Sequence, residues 1–142
     1  MIVLDTNVVS ELMRPSPSPA VEAWMTEQDT TSLFFTATGE AELRYGVALM
    51  AAGRRHDELA STVEAMLRED FAERILPFDS AAARAYATIA STRRSSGYPL
   101  AQSDGQIAAI ARSRHMAVAT RNTRDFKDTG VNLINPWSWS NA

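Results

Sequence analysis

The sequence predicts an α/β sandwich of three layers, with a mostly parallel central sheet of about five strands and helices on both faces. Short apolar runs alternate along the chain with longer segments of helical composition, a pattern typical of parallel sheets. The length of 142 residues suffices for a buried core, and we expect a single domain over residues 1–142. The hydrophobic fraction of 45% is ordinary for a globular protein.

Five short segments have strand composition, although periodicity alone leaves a helix open for the first of them. The predicted strands are residues 2–4, 31–36, 75–78, 117–120 and 132–134. Pro77 has no N–H to donate to a neighbouring strand, which suggests that the third strand ends there or lies at an edge of the sheet.

Six longer segments are predicted to be helical. They are residues 8–13, 20–27, 38–52, 54–71, 80–94 and 103–115. Alternating prolines in residues 14–19 end the first helix and form a stiff surface loop, and Gly53 is expected to end the third helix. Arg93 and Arg94 are expected to be solvated at the end of the fifth.

Composition excludes several kinds of protein. The absence of cysteine rules out disulfides and thiolate metal sites, so a metal would need oxygen ligands or the two histidines. The net charge of −3 gives no generally basic surface, and nucleic-acid binding would have to use local patches. No apolar run is long enough for a membrane span and no secretory signal is apparent, so we expect a cytoplasmic protein that does not bind membranes.

Asp5 directly follows the first predicted strand. A carboxylate at the carboxyl end of a buried strand lies where open α/β sheets bind their ligands. The alternative is that Asp5 caps the following helix. Asn122 and Asp125 follow the fourth strand and offer oxygen ligands, although both residue types are also common in simple turns.

Helical projection of residues 38–52 places Glu42 on a side that faces the protein. It falls within an arc formed by Leu43, Tyr45, Gly46, Leu49 and Met50. Glu40 and Arg44 lie on the opposite side, where they can pair at the surface. An ionised carboxylate directed inward needs a partner or a metal, so Glu42 is either a site residue or the partner of a buried arginine.

Asp104 shares one face of its helix with Ile107, Ala108 and Ala111. The alternative for Asp104 is structural. Residues 103–106 resemble a capping box, and the helix dipole favours aspartate in a first turn.

The predicted topology brings these positions together. Helices in a parallel α/β fold run against the strands, so helix N-termini lie at the carboxyl edge of the sheet, where Asp5 and Asn122 also lie. Three neighbouring carboxylates repel one another, and a divalent cation removes that conflict. Oxygen ligands select a hard ion such as Mg²⁺ or Mn²⁺, whose chemistry suits hydrolysis of a phosphodiester.

Four motifs in this order resemble a PIN domain, and more narrowly the VapC-type ribonuclease toxins. They are Leu-Asp-Thr-Asn at residues 4–7, Ala-Glu-Leu-Arg-Tyr-Gly at 41–46, the helix start at Asp104, and Ala-Thr-Arg-Asn-Thr-Arg-Asp-Phe at 119–126. Asn-Pro-Trp at residues 135–137 is similar to the FitB-like branch. The resemblance implies a PIN-like fold with Mg²⁺-dependent ribonuclease activity, often dimeric and silenced by a cognate antitoxin.

The resemblance assigns roles to individual residues. Asp5, Glu42 and Asp104 match the family's acidic catalytic and metal-binding positions. The neighbouring positions that match supporting residues are Thr6, Asn7 and Thr120.

Asn122 departs from the pattern, since many members of the family have Asp there. Asn122 and Asp125 are therefore weaker metal-ligand candidates, and we expect one metal rather than two. Arg121 and Arg124 are expected to contact RNA phosphates, with surface solubility as the alternative. Trp137 is expected to be a core or interface anchor.

The leading hypothesis is a toxin of a toxin–antitoxin pair that hydrolyses RNA with Mg²⁺, or with Mn²⁺ in its place. Its expected partners are the cognate antitoxin, the RNA substrate and a second copy in a homodimer or larger toxin–antitoxin assembly. One alternative is a catalytically weak or inactive PIN-fold module that binds nucleic acid or antitoxin. Another is a phosphatase with an aspartyl nucleophile, which Asn7 disfavours because that class needs a second Asp there.

Overall fold

The computed structural model describes residues 1–140, which surround a five-stranded, wholly parallel sheet. The strands are β1 (Ile2–Leu4), β2 (Leu33–Thr36), β3 (Ile75–Leu76), β4 (Ala117–Ala119) and β5 (Leu133–Ile134). Their order in the sheet is β3-β2-β1-β4-β5, so β1 lies in the middle. The predicted number and direction of strands are confirmed, and β3 both ends before Pro77 and lies at an edge.

Within residues 1–140, six α-helices connect the strands. They are α1 (Thr6–Leu12), α2 (Pro19–Thr26), α3 (Ala37–Ala48), α4 (Arg54–Ala65), α5 (Ser80–Ser95) and α6 (Gln102–Ser113). A π-helical turn, Met66–Asp70, follows α4. The 3₁₀ turns are Thr30–Ser32 before β2, Thr123–Phe126 after β4 and Pro136–Ser138 after β5. Within residues 1–140, no helix combines the length and apolar character that a membrane crossing requires.

Two apolar cores cover the two faces of the sheet. Successive strand residues point to opposite faces, so Val3 and Leu4 of β1 enter different cores. Val3 packs with residues of α5 and α6, whereas Leu4 packs with residues of α1, α2, α3 and α4. This arrangement confirms the predicted sandwich of three layers.

Two predicted helix ends are wrong. Helix α3 ends at Ala48 instead of continuing to Gly53, and Leu49 beyond it is 67% exposed. The segment after Arg54 is α-helical only to Ala65, because the Phe71 N–H donates to the Met66 carbonyl at 3.2 Å, five residues back.

Two glycines of α3 have opposite surroundings. A Cβ atom on Gly39 would lie 2.5 Å from the Phe35 ring, which is fully buried and packs on Phe71 with centroids 5.5 Å apart. A Cβ atom on Gly46 would have no atom within 4 Å. Packing against the Phe35 ring therefore requires a glycine at position 39. At position 46 no neighbour requires one, and the backbone freedom of glycine only destabilises the helix.

We expect Gly39→Ala to lower the free energy of unfolding by about 1–3 kcal/mol, because the buried ring cannot move without disturbing the core. Gly46→Ala, the matched control in the same helix, should raise it by about 0.5–1 kcal/mol through helix propensity. Urea unfolding followed by circular dichroism measures both. Equal effects of the two substitutions would contradict this description of the packing.

Candidate functional site

A buried hydrogen bond joins the ends of β1 and β4. The hydroxyl of Thr120 donates to Asp5 Oδ2 at 2.7 Å and accepts the Asn122 N–H at 3.0 Å. Thr120 is fully buried and Asp5 is 5% exposed. Asp5 Oδ1 also accepts the Thr6 N–H at 2.8 Å as the N-cap of α1, so Asp5 both caps the helix and lies at the carboxyl edge of the sheet.

Glu42 is held at the same edge by the residue after Asp5. The Thr6 hydroxyl donates to Glu42 Oε1 at 2.7 Å. The prediction that Glu42 is directed into the protein is wrong, because its side chain is exposed and the arc assigned to it is largely solvated. Tyr45 and Leu49 in that arc are 66% and 67% exposed. Helix α3 buries Gly39 and Leu43 instead, and Glu42 lies on the flank of that stripe.

The surface pair predicted opposite Glu42 is present. Arg44 Nε donates to Glu40 at 2.8 Å, and the same guanidinium makes two further bonds of 2.9 Å to Glu64 of α4. The link to Glu64 was not foreseen, since it depends on how two helices pack. Arg44 is consequently engaged on the outer side of α3.

Asp104 lies in the first turn of α6 and is half-buried. The capping-box alternative is not what forms, because the N-cap residue is Ala101 and no side chain caps the helix. Burial, together with the charges of Asp5, Asp125 and Glu42, raises the pKa of Asp104 to about 6. Asp104 is thus an acidic group in a crowded acidic environment.

The pKa of Asp5 is also raised. Burial is the main cause, and the charges of Glu42 and Asp125 act in the same direction. The hydrogen bonds from Thr120 and Thr6 oppose this effect by stabilising the ionised carboxylate. The charges of Glu42 and Asp125 act on both pKa values, and the charge of Asp5 acts on the pKa of Asp104, so the four carboxylates are electrostatic neighbours.

One cavity of about 480 Å³ gathers most of the predicted site residues. Its lining includes Asp5, Thr6, Asn7, Glu42, Asp104, Arg121 and Asn122. Thr120 lies beneath it, fully buried. Asp125 and Arg124 line a separate depression of about 730 Å³ with Lys127 and Tyr98, so Asp125 acts on the cavity through its charge.

Among residues 1–140, no group of three acidic or histidine side chains is gathered as a preformed metal cage. The described acidic residues therefore line a cavity, but no three of their side chains converge on one metal position.

Glu11 was missed as a residue of this cavity. It is 6% exposed, lines the cavity, and accepts the Ser18 N–H at 2.8 Å and the Arg14 guanidinium at 3.1 Å. The hydrogen bond from Ser18 is the main cause of its lowered pKa. Glu11 thereby ties the proline-rich loop to α1. Its spacing of three residues from the buried Val8 was a usable signal.

Arg93 is the second residue that was missed, and the prediction that it is solvated is wrong. It is 6% exposed and donates to the carbonyls of Tyr98 at 3.0 Å and of Asp125 and Lys127 at 2.9 Å. The bonds to Asp125 and Lys127 fasten the 3₁₀ turn that carries Asp125. No local pattern distinguishes Arg93 from Arg94, since two of its three carbonyl partners lie 32 and 34 residues away in the sequence.

Trp137 was expected to be an anchor, and it is partly buried against the core that contains Leu4. It also lines the acidic cavity, where the Arg121 guanidinium lies 5.2 Å from the centroid of its ring. This second contact was not foreseen.

Comparison with known proteins places this geometry in a family. The PIN domain family matches residues 2–132. The chain is 43% identical to VapC ribonuclease Y4jK of Sinorhizobium fredii over 96% of this chain and 98% of that protein. It is 42% identical to toxin FitB of Neisseria gonorrhoeae, over 96% of this chain and 99% of that protein.

Solved structures agree with the sequence comparison. The crystal structure of FitAcB from Neisseria gonorrhoeae matches with a TM-score of 0.92 and 42% identity, covering 98% of this chain and all of that chain. FitAB bound to an IR36 DNA fragment also gives a TM-score of 0.92, with 41% identity over 99% of this chain and 98% of that one. The motifs, the parallel sheet and these relatives agree, and the chain belongs to the PIN domain family, alongside VapC and FitB toxins.

Proposed function

We propose that this protein is the toxin of a toxin–antitoxin pair and acts as an Mg²⁺- or Mn²⁺-dependent endoribonuclease. One observation carries the proposal. Asp5, Glu42 and Asp104 share a cavity, yet within residues 1–140 none of them is within 4.0 Å of a basic side chain. Buried or crowded carboxylates without a cation are unfavourable, so this cluster suits a positively charged ligand.

The donor set fits a hard divalent cation. Mg²⁺ uses one or two carboxylates and keeps several waters, so it does not require a cage of three protein ligands. Asp5 and Asp104 would hold it, with Glu42 nearby. Such a cation supplies Lewis acidity toward a phosphoryl oxygen and neutralises developing negative charge.

The remaining chemistry falls to side chains of the chain itself. Glu42, oriented by the Thr6 hydroxyl, is placed to accept the proton of an attacking water. Thr120 keeps the Asp5 carboxylate in one orientation. Asn7 supports the opposite rim, where its Oδ1 accepts the Arg121 N–H at 3.4 Å.

A single metal is proposed rather than two. Asn122 brings an oxygen without charge to the cavity, and Asp125 lines the neighbouring depression instead. Both are therefore assigned weaker roles as ligands. Arg121 within the cavity and Arg124 beside it are proposed to contact RNA phosphates.

The proposed partner is a cognate antitoxin, by analogy with the FitAB and FitAcB structures. A groove of about 500 Å³ between α1, α3 and α4 supports this proposal. Its apolar lining includes Met13, Val47 and Leu59. A homodimer or larger toxin–antitoxin assembly in the cytoplasm is part of the same proposal.

An inactive binding module of the same fold is the second candidate, and the lack of a preformed metal cage within residues 1–140 is the observation that favours it. Catalysis by the purified chain separates the two. The phosphatase alternative gains nothing from the geometry, because Asn7 provides no general acid beside Asp5.

We expect Asp5→Asn and Glu42→Gln each to lower the rate of RNA cleavage at least about a hundredfold, because each removes a charge on which the reaction depends. Glu40→Gln is the matched control, since Glu40 lies on the same helix but pairs with Arg44 outside the cavity. Cleavage of total RNA by the antitoxin-free protein, with Mg²⁺, Mn²⁺ or EDTA, measures these rates. Full activity of Asp5→Asn, or activity in EDTA, would contradict the mechanism.

The raised pKa of Asp104 predicts a specific dependence of stability on pH. The folded chain holds this proton up to about pH 6, whereas the unfolded chain releases it near the ordinary pKa of 3.8. Asp104 therefore makes the metal-free protein less stable as pH rises between these values. We expect Asp104→Asn to exceed the wild type in free energy of unfolding at pH 7, and this advantage should diminish toward pH 4.

Urea unfolding in EDTA at several pH values measures this difference. Asp128→Asn, a change of an exposed carboxylate outside the cavity, is the control and should show no such trend. Saturating Mg²⁺ should reverse the order by stabilising the wild type. An advantage of Asp104→Asn that does not vary with pH would contradict the electrostatic description.

A further inference from the structure

Two cationic side chains line the acidic cavity, and they differ in what they contact. Arg14 is paired with Glu11, at 3.1 Å to each carboxylate oxygen. Arg121 has no carboxylate within 4.0 Å among residues 1–140, and it acts on Glu11 only at longer range, as a minor cause of its lowered pKa. The charge of Arg121 is thus available to an anion that enters the cavity.

Arg121 is nevertheless held in place. It directly follows Thr120, its backbone N–H reaches Asn7, and its guanidinium lies 5.2 Å from the Trp137 centroid. That distance is within the range of a cation–π interaction. The cation is therefore oriented without being neutralised.

Trp137 is itself fixed from the opposite side. Its backbone N–H donates to Asn135 Oδ1 at 3.0 Å in the 3₁₀ turn, and the preceding Pro136 is buried. The turn packs against α2, and the ring is partly buried against the core. Trp137 is consequently a rigid support for an exposed arginine.

We propose that Arg121, supported by Trp137, forms a nucleotide subsite beside the acidic cluster and binds single-stranded RNA next to the bond that is cut. The guanidinium N–H groups donate to a phosphodiester, and its outer face stacks on an unpaired base. A duplex keeps its bases stacked on each other, so it offers only the phosphate contact. Arg121 binds substrate directly, whereas Trp137 is a positioning residue; the inference rests on the proposed ribonuclease function.

Binding is tested in an Asp104→Asn background, which keeps the RNA intact, with a labelled single strand of about 12 nucleotides. Fluorescence anisotropy over a range of salt concentrations gives Kd and its salt dependence. Arg121→Gln should weaken binding about tenfold or more and reduce the slope of log K against log salt by about 0.7. Arg68→Gln is the matched control, because it removes one positive charge from the π-helical turn outside the cavity. It should change the Kd and the salt dependence less than Arg121→Gln does.

Trp137→Leu should reproduce much of this loss, and combining it with Arg121→Gln should add little, because both act through one contact. Trp137→Phe keeps an aromatic face and should restore most of the affinity. Additive losses, or equal losses for Phe and Leu, would overturn the positioning role. Thermal unfolding identifies any variant that fails to fold, and the Arg121 and Trp137→Phe variants decide the matter in that case.

Annealing the probe to its complement tests the stacking contact. The loss of affinity caused by Arg121→Gln should be smaller for the duplex, and an equal loss would overturn the assignment to single strands.

In the otherwise wild-type enzyme, Arg121→Gln should raise KM with little change in kcat. If the wild type cleaves RNA but Arg121→Gln leaves the Kd, the salt dependence and the KM unchanged, the subsite is overturned and the proposed function is not. Absence of both RNA binding and cleavage would overturn the proposed function as well.

Discussion

The hydrogen bond from Thr120 to Asp5 is the interaction on which the site depends. It joins the middle strand β1 to its neighbour β4, and it uses a hydroxyl that is fully buried. The same oxygen accepts the Asn122 N–H, so one side chain fixes both the first carboxylate and the segment after β4. Because Asp5 is buried, losing this partner would leave its carboxylate with one fewer donor in a region that water scarcely reaches.

The carboxyl edge of the sheet concentrates negative charge at the expense of the isolated protein's stability. Asp5 and Asp104 have raised pKa values because burial and neighbouring carboxylates disfavour their ionised forms. Asp104 gains some compensation from the N-terminus of α6, where the helix dipole favours a negative group. Structures of this kind are stabilised when the ligand that resolves the repulsion binds.

The sheet and the order of elements could be predicted because each strand is a short, largely apolar run between recognisable breaks. The end of α3 could not, since residues 50–52 favour helices intrinsically. Helix propensity alone does not extend a helix that lacks packing contacts, and beyond Ala48 the side chain of Leu49 is largely exposed. The π-helical turn has no sequence signature, although it places Leu67 and Phe71 together in the core.

The positions of the candidate residues could be predicted where topology determines them, but the orientation of their side chains could not. Asp5 and Asn122 follow strands, while Asp104 and Glu42 lie in the first two turns of α6 and α3, so all four meet at one cavity. Glu42 was assigned the wrong surroundings, because apolar residues of its arc remain in solvent. Arg93 was overlooked because two of its three carbonyl partners belong to a distant segment, and such contacts have no local periodicity.

The groove between α1, α3 and α4 is not separate from the acidic cavity. Thr6, Ser10, Arg14 and Glu42 line both, so the two concavities share a wall made of side chains. A molecule that fills the groove as far as this shared wall contacts Thr6 and Glu42, the two partners of one hydrogen bond. An occupant of the groove and a ligand of the acidic cavity would therefore compete directly for the same side chains, with no conformational change transmitted through the fold.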